Sequence, residues 1–180
     1  MIEGGEIEDI KYYTNKVDRR VGEIRGEKVM GVGAKGKILW LEMGNRKYIH
    51  IHFGITGWIE IKRPERNIKY EIRIRREGRE IKLYMEDRRR FSSIRIYEEE
   101  EHKRVIGRLG EDIFKEGFTL EYFRKVMRSR RTYIGSLIME QGKIAGIGNY
   151  IKNEALYMSD IEGRARSNEI GEEKIGRLPD

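Results

Sequence analysis

Between Gly22 and Tyr97 the apolar residues recur at every second position. The runs include Lys37-Ile-Leu-Trp-Leu-Glu-Met43, Lys47-Tyr-Ile-His-Ile-His-Phe53, Trp58-Ile-Glu-Ile61, Lys69-Tyr-Glu-Ile-Arg-Ile-Arg75 and Ile81-Lys-Leu-Tyr-Met85. A period of two belongs to a strand with one face turned to a core. Within Ile72-Arg-Ile-Arg75 the isoleucines take one face and the arginines the other. Gly44-Asn45, Gly54 to Gly57, Pro64 and Glu77-Gly78 break the runs and supply turns. Several short strands at this spacing restrict the region to an antiparallel sandwich or barrel.

Outside this region the period changes. Ile7, Ile10, Val17 and Val21, with Tyr13 between them, predict an N-terminal helix over Glu6 to about Arg20. Glu98 to Glu101 reads as a solvated loop or a helix start. Thr119 is placed to cap a helix over Leu120 to Arg130. Tyr133 to Gln141 and Tyr150 to Met158 read as two more helices, separated by the glycine-rich Gly142 to Asn149. Ser167 to Arg177 could be a further helix. The expected class is α+β: an N-terminal helix, an antiparallel β-sandwich or barrel, then a helical region. The expected domains are 1–105 and 106–180.

Composition excludes several functions. The 180 residues contain no cysteine, so disulfides, Cys-ligated zinc and a thiol nucleophile are absent. His50, His52 and His102 are too few to suggest a histidine metal cluster, and no metal or cofactor is expected. No apolar stretch approaches the ~20 residues that span a bilayer, and the acidic start Met1-Ile-Glu-Gly-Gly-Glu lacks a signal core. The expectation is a monomer that is not secreted and has no membrane partner, in the cytoplasm with the nucleoid or in a nucleus. The charge is uneven. Residues 62–95 hold 13 Lys and Arg against six acids, a net +7 equal to that of the whole chain. Such a zone suggests a phosphate-backbone surface, the alternative being a solvated Arg-rich strand face.

Four segments could carry chemistry. The first is Met1-Ile-Glu-Gly-Gly-Glu-Ile7, which sets Glu3 and Glu6 beside the α-amine. An α-amine is partly neutral near pH 7 and can attack a sugar C1′ to form a Schiff base. A neighbouring carboxylate can then move protons. The alternative is plain helix-dipole compensation. The second is Gly33-Ala-Lys-Gly-Lys-Ile38, where Lys37 could reach a phosphate from a hairpin turn. The third joins His52-Phe-Gly-Ile-Thr-Gly57 to Glu86-Asp-Arg-Arg-Arg-Phe-Ser92. Ile55, Arg89 and Phe91 are the apolar, cationic and aromatic groups that base extrusion needs to fill a gap, the alternative being ordinary core or edge residues. The fourth is the segment from Met139 to Leu156, whose glycines let backbone N–H groups and Asn149 approach a phosphate. It lacks the GK[ST] element of a nucleotide P-loop.

Six pieces occur in order: Glu3-Gly-Gly-Glu-Ile7, Gly33-Ala-Lys-Gly-Lys37, Ile49-His-Ile-His-Phe-Gly-Ile-Thr-Gly57, Glu86-Asp-Arg-Arg-Arg-Phe91, Leu109-Gly-Glu-Asp112 and the run from Gln141 to Leu156. Together, over about residues 1–163, they resemble the formamidopyrimidine-DNA glycosylase/endonuclease VIII family. The last piece resembles its helix–two-turn–helix DNA-binding element. The resemblance implies a bifunctional DNA glycosylase/AP lyase whose partner is damaged or abasic DNA. It gives the amine at Ile2 (or Met1) the role of nucleophile, Glu3 that of catalytic glutamate, and Glu6 that of second acid. Lys37, His52 and Asn149 fall at phosphate contacts, and Ile55, Arg89 and Phe91 at the gap-filling positions, with Ile55 in place of a usual methionine. Gly135 stands where the formamidopyrimidine branch tends to carry lysine, so the endonuclease VIII-like branch fits better. Three departures stand out. Position 2 is Ile where the family has Pro. The segment from Glu6 to Gly33 is shorter than in the family. The 106–180 region is expected to be truncated, without the family's C-terminal finger. These departures support an alternative, a catalytically impaired protein that binds damaged DNA on the same scaffold.

Overall fold

Eight strands of the first hundred residues form two antiparallel sheets in the computed structural model, which describes residues 1–15 and 18–177. The strands are β1 (Glu6–Tyr12), β2 (Val29–Lys35), β3 (Ile38–Met43), β4 (Lys47–His52), β5 (Gly57–Glu60), β6 (Ile68–Arg76), β7 (Arg79–Asp87) and β8 (Ser93–Glu98). One sheet has the order β1-β6-β7-β5 and the other β2-β3-β4-β8. Ile7, Ile10, Ile72, Ile74 and Met85 of the first sheet bury against Leu41, Met43, Ile49, Ile51, Ile94 and Ile96 of the second. The alternation read from the sequence therefore marks one face of each sheet of a sandwich.

The expected N-terminal helix is absent. Glu6–Tyr12 is strand β1, and a 3-10 turn over Arg19–Ile24 follows, capped by the Asp18 side chain on Arg20 N–H. Val17, which contributed to the helical reading, lies outside the described residues. The cause of the misreading is a bulge. Ile7 pairs with Ile74 and Ile10 with Ile72, while the register slips between Ile7 and Asp9. In a regular strand a spacing of three would put Ile7 and Ile10 on opposite faces, but one extra residue restores them to the same face. A bulged strand thus imitates helical spacing.

The outer face of the first sheet consumes part of the basic zone. Arg73 pairs with Asp9 at 2.8 Å, Arg75 with Glu8, and Lys82 with Glu80 at 2.8 Å. The two arginine pairs cross from β6 to β1, while Lys82 and Glu80 pair two residues apart along β7. Among the described residues Arg88, Arg89 and Arg95 form no ion pair and remain available to an anion.

Helix α1 (Glu99–Gly107) follows β8 directly. Three glutamates occupy its first turn, where the helix dipole favours them. His102 of this helix stacks on Tyr48 with ring centroids 3.8 Å apart and meets Trp40 edge-on at 5.1 Å. Its Nδ1 lies 2.8 Å from Nε2 of His50, which is only 5 % exposed. Burial, and then the neighbouring His102, push the His50 pKa down to about 4. Burial also lowers that of His102, against the pull of Glu42 and Glu99.

The chain divides into two compact units, Met1–Arg104 and Val105–Asp180. In the second, α2 (Leu120–Arg128) starts where the sequence places it, with Thr119 Oγ1 accepting Tyr122 N–H at 3.1 Å. Next come α3 (Ile134–Leu137), α4 (Asn149–Met158) and α5 (Glu172–Arg177). Phe123, Met127, Ile134, Leu137, Ile144, Leu156 and Ile175 form the core of this unit. The short strands β9 (Glu111–Asp112) and β10 (Ile144–Ala145) pair in parallel. The 167–177 segment is a 3-10 turn over Ser167–Glu169 and then α5, with Gly171 between them, rather than one helix. No helix among the described residues is long and apolar enough to cross a membrane.

Candidate nucleic-acid interface

The N-terminal segment folds back on the sandwich. Gly5 N–H donates to Ile2 O at 3.0 Å, closing a turn whose third residue, Gly4, has φ 79°. That conformation suits glycine and leaves Glu3 exposed at the tip. Gly4 N–H reaches Val29 O, and Val29 N–H reaches Gly5 O, both at 2.8 Å. Arg76 Nη1 holds Met1 O at 2.9 Å. The Ile2 side chain enters an apolar cleft of about 380 Å³ with Leu39, Phe53, Gly57 and Trp58. Glu6 is on β1 instead, opposite Arg75, with its carboxylate over Gly26. Glu3 and Glu6 therefore occupy a turn and a strand, not one face of a helix.

Lys37 and His52 meet at one end of the second sheet. Gly36 (φ 59°) and Lys37 make the two-residue turn between β2 and β3, and Ile38 is paired with His52. Gly54 N–H donates to His52 Nδ1 at 3.1 Å, so the neutral ring carries its proton on Nε2 and offers a donor. Desolvation of the ring, then the charge of Lys37, lower the His52 pKa below the ordinary imidazole value. Desolvation likewise lowers the pKa of Lys37. A cation and a neutral N–H donor side by side suit a phosphate oxygen.

Ile55 and Phe91 project from adjoining loops, 69 % and 56 % exposed. The Arg89 guanidinium lies 5.1 Å from the Phe91 ring centroid. Gly54 (φ 68°) lets the two loops touch, since a Cβ there would stand 2.8 Å from Phe91 Cβ. Beneath them lies Asp87, 1 % exposed. Its Oδ1 accepts from Thr56 Oγ1 at 2.7 Å and from Arg89 N–H at 3.1 Å, and its Oδ2 accepts from Ser92 N–H at 2.6 Å. Burial alone would raise the pKa of this carboxyl, but the Ser92 and Thr56 hydrogen bonds outweigh it and lower the pKa. The buried Lys69 ammonium holds Arg90 O at 2.6 Å and Ser92 O. The sequence reading passed over Asp87 and Lys69. The only signal for Asp87 was an acid set directly before three arginines.

In the second unit Asn149 opens α4 behind Gly148, exposed, with Oδ1 accepting from Lys152 at 3.2 Å. The loop before it is shaped by Gln141. Its amide nitrogen donates to Met139 O and Ile147 O, and its oxygen accepts from Gly146 N–H at 3.0 Å. Gly146 has φ 101°. The Leu109-Gly-Glu-Asp112 motif is the strand partner of this loop. Gly110 admits no Cβ, which would fall 2.1 Å from Lys143 O. Gln141 opens the last of the six sequence pieces, but its role does not show there, because its work is done through loop geometry that no spacing rule describes.

Residues 1–94 match the Formamidopyrimidine-DNA glycosylase N-terminal domain, and residues 109–180 match the Formamidopyrimidine-DNA glycosylase H2TH domain. The formamidopyrimidine-DNA glycosylase of Protochlamydia amoebophila is 26% identical over 148 residues, covering 82% of this chain and 53% of that protein. That of Syntrophomonas wolfei is 29% identical over 144 residues, covering 80% and 54%. This chain thus spans about half the length of both relatives. In fold it resembles the MutM (Fpg) protein from Thermus thermophilus, with a TM-score of 0.85 at 22% identity over 99% of this chain and 66% of that one. It also resembles Lactococcus lactis Fpg solved with abasic-site DNA, with a TM-score of 0.85 at 20% identity over 99% and 68%. With its strand-rich and helical regions each matched, the chain belongs to the formamidopyrimidine-DNA glycosylase family.

Proposed function

We propose that the chain excises oxidised bases from DNA and cuts the resulting abasic site. The N-terminal amine, at Ile2 or Met1, attacks C1′ and displaces the base, which leaves with a proton. The C1′–O4′ bond then opens, O4′ taking a proton, to give an imine; the imine acidifies the C2′ proton, and its loss expels the phosphate oxygen from C3′ and breaks the strand. Glu3 relays protons from the tip of the first turn, and Glu6 is the second acid. Lys37, His52 and Asn149 hold backbone phosphates, while Ile55, Arg89 and Phe91 fill the gap left by the extruded nucleotide. Residues 1–105 then supply the chemistry and residues 106–180 a DNA grip. The observation that carries this reading is the pair of exposed apolar tips, Ile55 and Phe91, on loops that touch beside Arg89.

An oxidised pyrimidine, the endonuclease VIII-like choice, is supported at Gly135. A Cβ there would meet Gly163 O at 3.0 Å, a tight contact that a lysine of the formamidopyrimidine branch would have to relieve. A second reading, binding to damaged DNA without cleavage, is favoured by position 2. That residue is Ile, and its side chain is committed to the apolar cleft.

Borohydride reduction in the presence of abasic-site DNA separates the two readings. The proposal expects a covalent adduct, and Glu3→Gln should slow base excision by roughly 10²-fold or more. Salt-sensitive binding to damaged DNA with no adduct would establish the second reading.

A further inference from the structure

We infer that Asp87 is a positioning residue that locks the Ile55 turn to the Arg89–Phe91 loop, so that the two exposed tips enter DNA as one wedge. The inference rests on the gap-filling role proposed above for those tips. Neither loop is shaped by its own hydrogen bonds alone. Thr56, next to Ile55, reaches across to Asp87 Oδ1, and Arg89 N–H donates to both that oxygen and Thr56 Oγ1. The other carboxylate oxygen takes Ser92 N–H, just past Phe91. One carboxylate thus brackets the Phe91 loop at both ends and ties it to the neighbouring turn. From the opposite side Lys69 takes two carbonyls of the same loop, those of Arg90 and Ser92. This holds Arg90 at φ 59°, a conformation rare for a residue with a side chain.

The chemistry calls for a carboxylate. Three donors converge on Asp87, and both oxygens must accept. An amide would turn one of those acceptors into a donor facing a donor. The carboxyl is also buried, so water cannot replace a lost partner. A wedge with a fixed gap between its tips meets the extruded site already ordered, whereas two free loops must be ordered on binding.

The test uses the full chain, with Asp87→Asn, Thr56→Val and Thr56→Ser. Affinity is measured for an abasic-site duplex and for the matching intact duplex, together with fluorescence of 2-aminopurine opposite the abasic site. In Asp87→Asn and Thr56→Val the abasic preference should fall about ten-fold and the 2-aminopurine response should shrink, with intact-duplex affinity unchanged. Thr56→Ser, which restores the hydroxyl, should recover the preference. Should Asp87→Asn not fold, Thr56→Val decides, since Thr56 is exposed and only its hydroxyl is exchanged, for a methyl group of similar size. An unchanged preference in Thr56→Val, or equal loss on both duplexes, overturns the clamp. A wild-type chain without abasic preference overturns instead the wedge reading on which the clamp depends.

Discussion

Acid should loosen the sandwich through one histidine. His50 has its pKa depressed from 6.5 to about 4 by burial and by His102. Such a base binds its proton more readily in the unfolded chain than in the folded one. Its stability contribution is therefore whole above pH 6.5 and is lost as the pH falls towards 4. The loss works out at about 1 kcal/mol at pH 6, about 2 at pH 5 and about 3 below pH 4. His50→Gln keeps a hydrogen-bonding side chain beside His102 but cannot take up the proton. It should cost about 1 kcal/mol at pH 7.5 through imperfect packing and then flatten the decline between pH 6.5 and 4. Urea unfolding followed by tryptophan emission suits the measurement. Both tryptophans, Trp40 and Trp58, lie in the first unit, and Trp40 is close to both histidine rings. Carboxylates that protonate near pH 4 affect both proteins alike and cancel in the difference. A stability gap between wild type and His50→Gln that is equal at pH 7.5 and pH 5 would refute the reasoning. So would an NMR titration of the His50 ring centred near 6.5.

Two further outcomes test the interface. Gly54→Ala forces a side chain into a left-handed conformation and against Phe91, and should destabilise the first unit by about 2 kcal/mol in the same urea assay, with loss of abasic preference. Lys37→Ala should weaken binding to every duplex alike and reduce the slope of log K against log salt by about 0.9, without changing lesion preference.

Strands β3, β4, β6 and β7, the inner strands of the two sheets, were legible because side-chain alternation is a local property. Ile72, Ile74, Ile49 and Ile51 each announce a buried face. The α2 cap was legible for the same reason, since Thr119 and Tyr122 are three residues apart. Strand β1 was not, because a bulge is settled by the partner strand and leaves no mark in the sequence. Among site residues, Ile55 and Phe91 could be picked out from turn chemistry and neighbouring arginines. What joins them could not. Thr56 and Asp87 are 31 positions apart, and Lys69 is 23 from Ser92. The His50–His102 contact, 52 residues apart, was hidden in the same way.

The parallel bridge between β9 and β10 has a consequence for how the second unit folds. It joins residues 33 positions apart, on either side of α2 and α3, so closing the loop ahead of Asn149 carries the entropy cost of a long-range contact. The amides of Gly110 and Ile113, which donate to Gln141 O and Ala145 O, are accordingly reporters of late assembly. In native-state hydrogen exchange they would open together with the loop ahead of Asn149, ahead of the helices whose packing they complete.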